Sequence, residues 1–233
     1  IGGLFGLNIG EGSTWVATGT ASYGIFRGLS VSDGGSYIQE AGVTGDFSST
    51  RRDSEVSGSD TGGTGASLVI NGGTFDVGRD LKVNDNADLT INGGVMTIPE
   101  QIVNLAFEPA FNSLNFNGGT TTADSFQFDT AGTATFGGST AGSLSLTSLG
   151  NGVTLDFLSG SLMELTIAGA DQAFYEGLYT GGDLLFDGSK ASPFANNFLV
   201  SVDGETLSAV PEPSFATLLG LGLVLPLIAR RRV

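Results

Sequence analysis

Leu68-Val69-Ile70-Asn71-Gly72-Gly73-Thr74 is written again as Leu89-Thr90-Ile91-Asn92-Gly93-Gly94-Val95 and again as Leu114-Asn115-Phe116-Asn117-Gly118-Gly119-Thr120. Each copy carries two apolar residues separated by one, which puts both on the same side of a strand, then a polar residue and a glycine pair that close it in a tight corner. Looser copies begin at Leu7, Leu29 and Leu155, and a degenerate one at Thr133. The starts 7, 29, 68, 89, 114, 133 and 155 give steps of 22, 39, 21, 25, 19 and 22, with the step of 39 expected to hold two periods. A strand-and-turn unit recurring at about 20 residues is the pattern of a solenoid whose rungs bury one face on the next. The fold class is therefore expected to be all-β.

The same register predicts a ladder. Asn71, Asn92 and Asn117 occupy one place in the repeat, so on paired strands about 4.8 Å apart their carboxamides can hydrogen-bond in a column. The glycine pairs after them are expected to take the positive φ that turns the chain.

Composition agrees with a folded, turn-rich chain. Glycine supplies 38 of 233 residues without a Gly-X-Y period, and 40% hydrophobic residues with 16 Phe give enough apolar surface for a core. The net charge of −15 comes from 24 acids and 9 bases, three of which, Arg230, Arg231 and Arg232, end the chain. Few cations are left to meet a phosphate backbone, so no nucleic-acid partner is expected. His and Cys are absent, which removes thiol nucleophiles, imidazole bases and His- or Cys-built zinc sites. The chain begins at Ile1 rather than Met, and an N-terminal part is expected to precede it.

Residues 1–168 read as solenoid rungs, interrupted at about 46–65 by a polar stretch expected to be an extruded loop. That loop is either a solvated insertion or one in which Arg51 and Arg52 contact acidic sugars. Residues 99–111 are either a helical turn or an irregular bulge. Residues 169–209 keep alternation but lose the period, as expected of strands that cap the last apolar face. Within them, residues 170–180 are expected to be a short helix or an aromatic loop.

Residues 210–233 differ in kind. Val210-Pro211-Glu212-Pro213-Ser214 is a stiff extended linker, residues 215–229 carry no charge and are expected to form a hydrophobic helix, and Arg230-Arg231-Arg232 close the chain. The arginines would stay on the cytoplasmic side of a membrane. This three-part tail resembles the PEP-CTERM sorting signal of bacterial exported proteins. The resemblance implies an exosortase-type enzyme as a partner, transient membrane association through the helix, and delivery to the cell surface or extracellular matrix. The body resembles the right-handed parallel β-helix of autotransporter passenger regions and pectate-lyase-like proteins, which implies architecture alone.

Candidate chemistry is sparse. A polysaccharide lyase would need acids for a cation and a basic residue as base, and the nearest set is Asp76, Arg79, Asp80, Lys82, Asp85 and Asp88; alternating charges on a solenoid are more simply solvated exterior positions. Asn84-Asp85-Asn86-Ala87-Asp88 lacks the glycine and glutamate of a calcium loop and reads as an Asx-rich corner. Thr120-Thr121-Thr122 and Thr133/Thr135 do not repeat from rung to rung as an ice-binding face requires. No catalytic residue, metal site or cofactor is assigned. The expectation is an exported, non-enzymatic cell-surface or matrix protein, structural or adhesive, with extracellular polysaccharide as a possible contact. The alternative is a carbohydrate-active β-helix, either a lyase or a glycan-binding module.

Overall fold

The structure, a computed structural model, describes residues 7–10, 12–20, 22–24, 28–48, 53–58, 65–104, 113–128 and 132–210. The chain winds as a parallel β-solenoid. Its first turns are β1 (Leu7–Ile9), β2 (Thr14–Ala17) and β3 (Ser22–Gly24), then β4 (Leu29–Ser32), β5 (Ser36–Gln39) and β6 (Thr44–Phe47), then β7 (Ser54–Ser57), β8 (Ala66–Ile70) and β9 (Thr74–Val77). After β10 (Leu81–Asn84) and β11 (Ala87–Ile91), the ten-residue β12 (Val95–Asn104) begins beside β9, shifts register between Ile98 and Gln101, and ends beside β10. Pro99 sits at that shift, where its missing N–H leaves no ladder position empty. The irregular-bulge reading therefore holds for residues 99 and 100, while residues 105–111 lie outside the described residues.

The path continues through β13 (Ser113–Phe116), β14 (Gly119–Phe128), β15 (Gly132–Phe136), β16 (Gly142–Leu149), β17 (Val153–Phe157) and β18 (Met163–Ile167). One face, the eight-stranded sheet, stacks β2, β5, β8, β11, β13, β15, β17 and β19 (Leu184–Phe186). The other two faces, one starting from β1 and one from β3, fuse into a 13-stranded sheet through β12.

Alternation makes the core. In β8 the burial pattern is strictly in and out, with Leu68 and Ile70 fully buried, because successive side chains of a strand point to opposite faces. Parallel register then aligns equivalents: Tyr37, Leu68, Leu89, Leu114, Ala134, Leu155 and Leu184 form one interior column. A neighbouring column runs through Phe116, Phe136 and Phe157 to Phe186; the first three rings stack at 5.4 Å and 4.5 Å. Earlier in that column, between Ala17 and Ile70, Gln39 is buried in place of an apolar residue and is satisfied by Tyr37 Oη and by the carbonyls of Gly72 and Thr74, as a buried amide must be.

The repeat is correctly a solenoid repeat, but its copies do not share one face. Leu7 and Leu29 pair with each other on the β1 face, whereas Leu68, Leu89, Leu114 and Leu155 lie on the eight-stranded face. The step of 39 is therefore not two periods. It is one long turn, from Tyr37 to Leu68, preceded by the jump between faces from Leu29 to Tyr37. Six residues of the polar stretch at 46–65 are strand: Asp46 and Phe47 end β6, and the four residues of β7 lie between β4 and β10 with Ser54 and Val56 buried. Residues 49–52, which include Arg51 and Arg52, and residues 59–64 lie outside the described residues.

Past β18 the winding stops. Helix α1 (Gln172–Gly181) fills residues 172–181, then β19 adds to the eight-stranded face, α2 (Phe194–Asn197) follows, and β21 (Thr206–Ala209) pairs antiparallel with β18 and carries β20 (Phe198–Val200) antiparallel on its other edge. Asp171 caps α1 by accepting from Phe174 N at 2.8 Å, and Gly182 ends it at φ 97°.

Candidate functional site

The six charged residues picked out by sequence separate onto different surfaces. Asp76 in β9 faces outward beside Asp46, Asp85 turns the corner after β10 at φ 39°, and Asp88 in β11 accepts from the Ser113 hydroxyl. Arg79, Asp80 and Lys82 stay together at the start of β10. They meet two acids that spacing along the chain does not reveal. Asp53, one turn earlier, takes both prongs of the Arg79 guanidinium, Nε at 2.6 Å and Nη2 at 3.0 Å, and also the Lys82 ammonium at 2.6 Å. Glu100, one turn later, lies 3.9 Å from Arg79 Nε.

The electrostatics of this cluster are those of a staple. Partial burial works to raise the Asp53 pKa, but the hydrogen bonds and charges of Lys82 and Arg79 together outweigh it and hold the carboxyl below its ordinary value. The Asp53 bond in turn raises the Arg79 pKa, with smaller help from Asp80 and Glu100. The fork-on-carboxylate geometry fixes both partners. An elimination base must be free to take a proton from substrate, whereas here both cations direct their hydrogens at Asp53. Among the described residues no group of three or more acids is placed to hold a metal ion. Asn84, in the corner once compared with a calcium loop, donates to Glu55 at 2.8 Å. A depression of about 120 Å³ lies elsewhere, on the first turn, lined by Asn8, Ile9, Gly10, Ser13, Thr14 and Trp15.

The asparagine column is present. Asn117 Nδ2 donates to Asn92 Oδ1 at 3.0 Å, Asn92 Nδ2 to Asn71 Oδ1 at 2.9 Å, and Asn71 Nδ2 to Glu40 Oε1 at 3.1 Å. Positive φ falls on the second glycine of each pair, Gly73, Gly94 and Gly119, at 77°, 84° and 76°.

A feature that sequence reading missed is a pair of outward columns on the β3 face. One runs Asp46, Asp76, Thr97, Thr122, Ser145, Thr166 and the other Thr44, Thr74, Val95, Thr120, Ser143, Glu164. Thr133 and Thr135 belong to β15 on the eight-stranded face, so they do not extend the Thr120–Thr122 row. The partners that do extend it are serines and Thr166, whose hydroxyl is 3.0 Å from that of Thr206. No Lys or Arg stands in these columns.

The C-terminal tail begins where the described residues end. Val210 N donates to Asn197 O at 2.8 Å, fixing the point of departure from the cap. Pro211, Glu212, Pro213, Ser214, the apolar run and Arg230 to Arg232 lie outside the described residues. Among the described residues, no helix is long and apolar enough to cross a membrane. No family model, curated protein or solved structure matches the chain.

Proposed function

We propose that this chain is an exported, non-enzymatic component of the cell surface or extracellular matrix, structural or adhesive, sorted through its C-terminal signal. The observation that carries the reading is the order of the tail: Pro211-Glu212-Pro213, an uncharged run over 215–229, then Arg230-Arg231-Arg232. An exosortase-type enzyme would act on this tail while the apolar run is held in the membrane.

The body suits the outside of a cell. A solenoid is a stiff spacer whose faces repeat every strand spacing, and the β3 face offers hydroxyl and carboxylate rows to a polyhydroxylated polymer. The two cations singled out as candidate lyase bases, Arg79 and Lys82, are committed to Asp53, which favours holding a polysaccharide over cleaving it.

The test is to express the chain behind a secretory leader in a bacterium with an exosortase and in a strain lacking it, and to read the C-terminus by mass spectrometry. The tail should be removed in the first strain only, and Pro211→Ala with Pro213→Ala should prevent removal. An intact tail in both strains would overturn the reading.

A further inference from the structure

The three asparagines of the ladder are each followed by glycine: Asn71-Gly72, Asn92-Gly93 and Asn117-Gly118. An asparagine before glycine is chemically labile, because a residue without Cβ leaves its backbone nitrogen open to approach the neighbouring side chain. None of the three glycine amides donates a hydrogen bond in the described structure, so none must give up a backbone partner before reacting. The local sequence makes the three sites equal. The fold does not.

We infer that the solenoid singles out Asn92 as a site of spontaneous deamidation, ahead of Asn71 and Asn117. Two observations separate it from the others. The first is access: Asn92 is exposed and Gly93 half-buried, whereas Gly72 and Gly118 are buried; Gly93 and Gly118 each lie against a carbonyl of the preceding turn, Asn71 and Asn92 respectively, but Gly118 is also covered by the Thr140 side chain, and Gly72 is covered by Ala41. The second is activation. Asn92 Oδ1 accepts from Asn117 Nδ2, and a donor on a carbonyl oxygen stabilises the oxyanion that forms when its carbon is attacked. Asn71 has the same activation from Asn92 but a buried glycine, and Asn117 has a buried glycine and, among the described residues, no donor on its Oδ1.

The chemistry needs only water as co-reactant. Deprotonated by water or hydroxide, the Gly93 nitrogen attacks Asn92 Cγ; the new N–Cγ bond closes a five-membered imide, the Cγ–Nδ2 bond breaks, and Nδ2 takes up a proton and leaves as ammonia. Water then opens the imide at either carbonyl, giving aspartate or isoaspartate. Either product removes the donor that Asn71 Oδ1 now accepts and places a carboxylate against it. Isoaspartate also lengthens the backbone at the corner. The inference is independent of the proposed sorting function.

The test uses the full chain, aged at mildly alkaline pH in its folded state and, in parallel, unfolded in urea. Peptide mapping with isoaspartate quantification reads all three sites. Unfolded, the three should convert at similar rates; folded, Asn92 should convert several-fold faster than Asn71 or Asn117. Asn92→Gln, which would need a six-membered ring, should abolish the product at that site in both the folded and the unfolded chain. Equal rates in the folded chain, or faster conversion at Asn71 or Asn117, would overturn the inference, as would an Asn92 that converts only when unfolded.

Discussion

At each glycine corner, adjacent residues carry different demands. Gly94 holds φ at 84°, and a Cβ there would stand 2.6 Å from Gly73 O. Gly94→Ala therefore combines a left-handed penalty of about 1–2 kcal/mol with displacement of the preceding turn. Asn92 sits on the surface with both ladder bonds solvated, so Asn92→Ala should cost about 1 kcal/mol. Chemical denaturation should rank Gly94→Ala clearly worse, and the opposite order would mean that the ladder rather than the turn fixes the corner. Asp53 gives a second residue-scale prediction. Its folded pKa is below its ordinary 3.8, so its stabilisation is present above that value and is lost as pH falls through the folded pKa. Asp53→Asn should melt lower than the parent at neutral pH, and the gap should narrow as pH falls below the ordinary 3.8 and close beneath the folded pKa; a gap that did not narrow with acid would show that the staple works by shape rather than charge.

Among the elements, the cap carries a titrating group at its centre. Tyr175 on α1 is fully buried and donates to Glu205 O at 2.5 Å; burial, with the nearby charges of Glu205 and Asp203, pushes its pKa up to about 12. A phenol whose folded pKa exceeds its unfolded value of 10.0 contributes stability that is complete below pH 10 and lost as pH rises through the folded value. Tyr175→Phe should thus be less stable at pH 7, for want of the hydrogen bond, yet show a flatter stability profile from about pH 10 to 12. An unchanged alkaline slope would assign the loss to another group. Elements were legible in the sequence where period and alternation coincide, as in β8, β11 and β13. They were hidden where polar residues occupy strands: in β7, only Val56 of Ser-Glu-Val-Ser is apolar, and Ser54 is buried because its Oγ accepts from Leu29 N. The two faces were confused because both write apolar-x-apolar before a glycine. The Asp53 to Arg79 bond was hidden for a related reason, since its partners are neighbours only once the length of one particular turn is known.

At the scale of the molecule, each turn touches only its neighbours, so stability is a sum of turn and interface terms and the last interior face must be covered. The cap does this with aromatic rings: Phe198 lies 5.6 Å from Phe157 and 5.8 Å from Tyr179, while Leu184 continues the column above Leu155. Val210, the last described residue, donates a backbone hydrogen bond to Asn197 O in the cap, and the uncharged run that follows in the sequence is read as a signal rather than as part of the solenoid. Two truncations should consequently behave oppositely. Ending the chain at Val210 should leave the thermal melt of the solenoid unchanged and raise its solubility without detergent. Ending it at Gly169 removes α1, α2 and β19 to β21 and uncovers Leu155, Phe157 and Leu165, each worth about 1.5–3 kcal/mol of burial. That loss should lower the melting temperature sharply and drive aggregation through the newly exposed edges of β17 and β18. Circular dichroism and size-exclusion chromatography of the two proteins decide the matter. Collapse of the first would make the tail part of the fold rather than a signal, and an unchanged melt for the second would show that the turns before β17 hold themselves together without a cap.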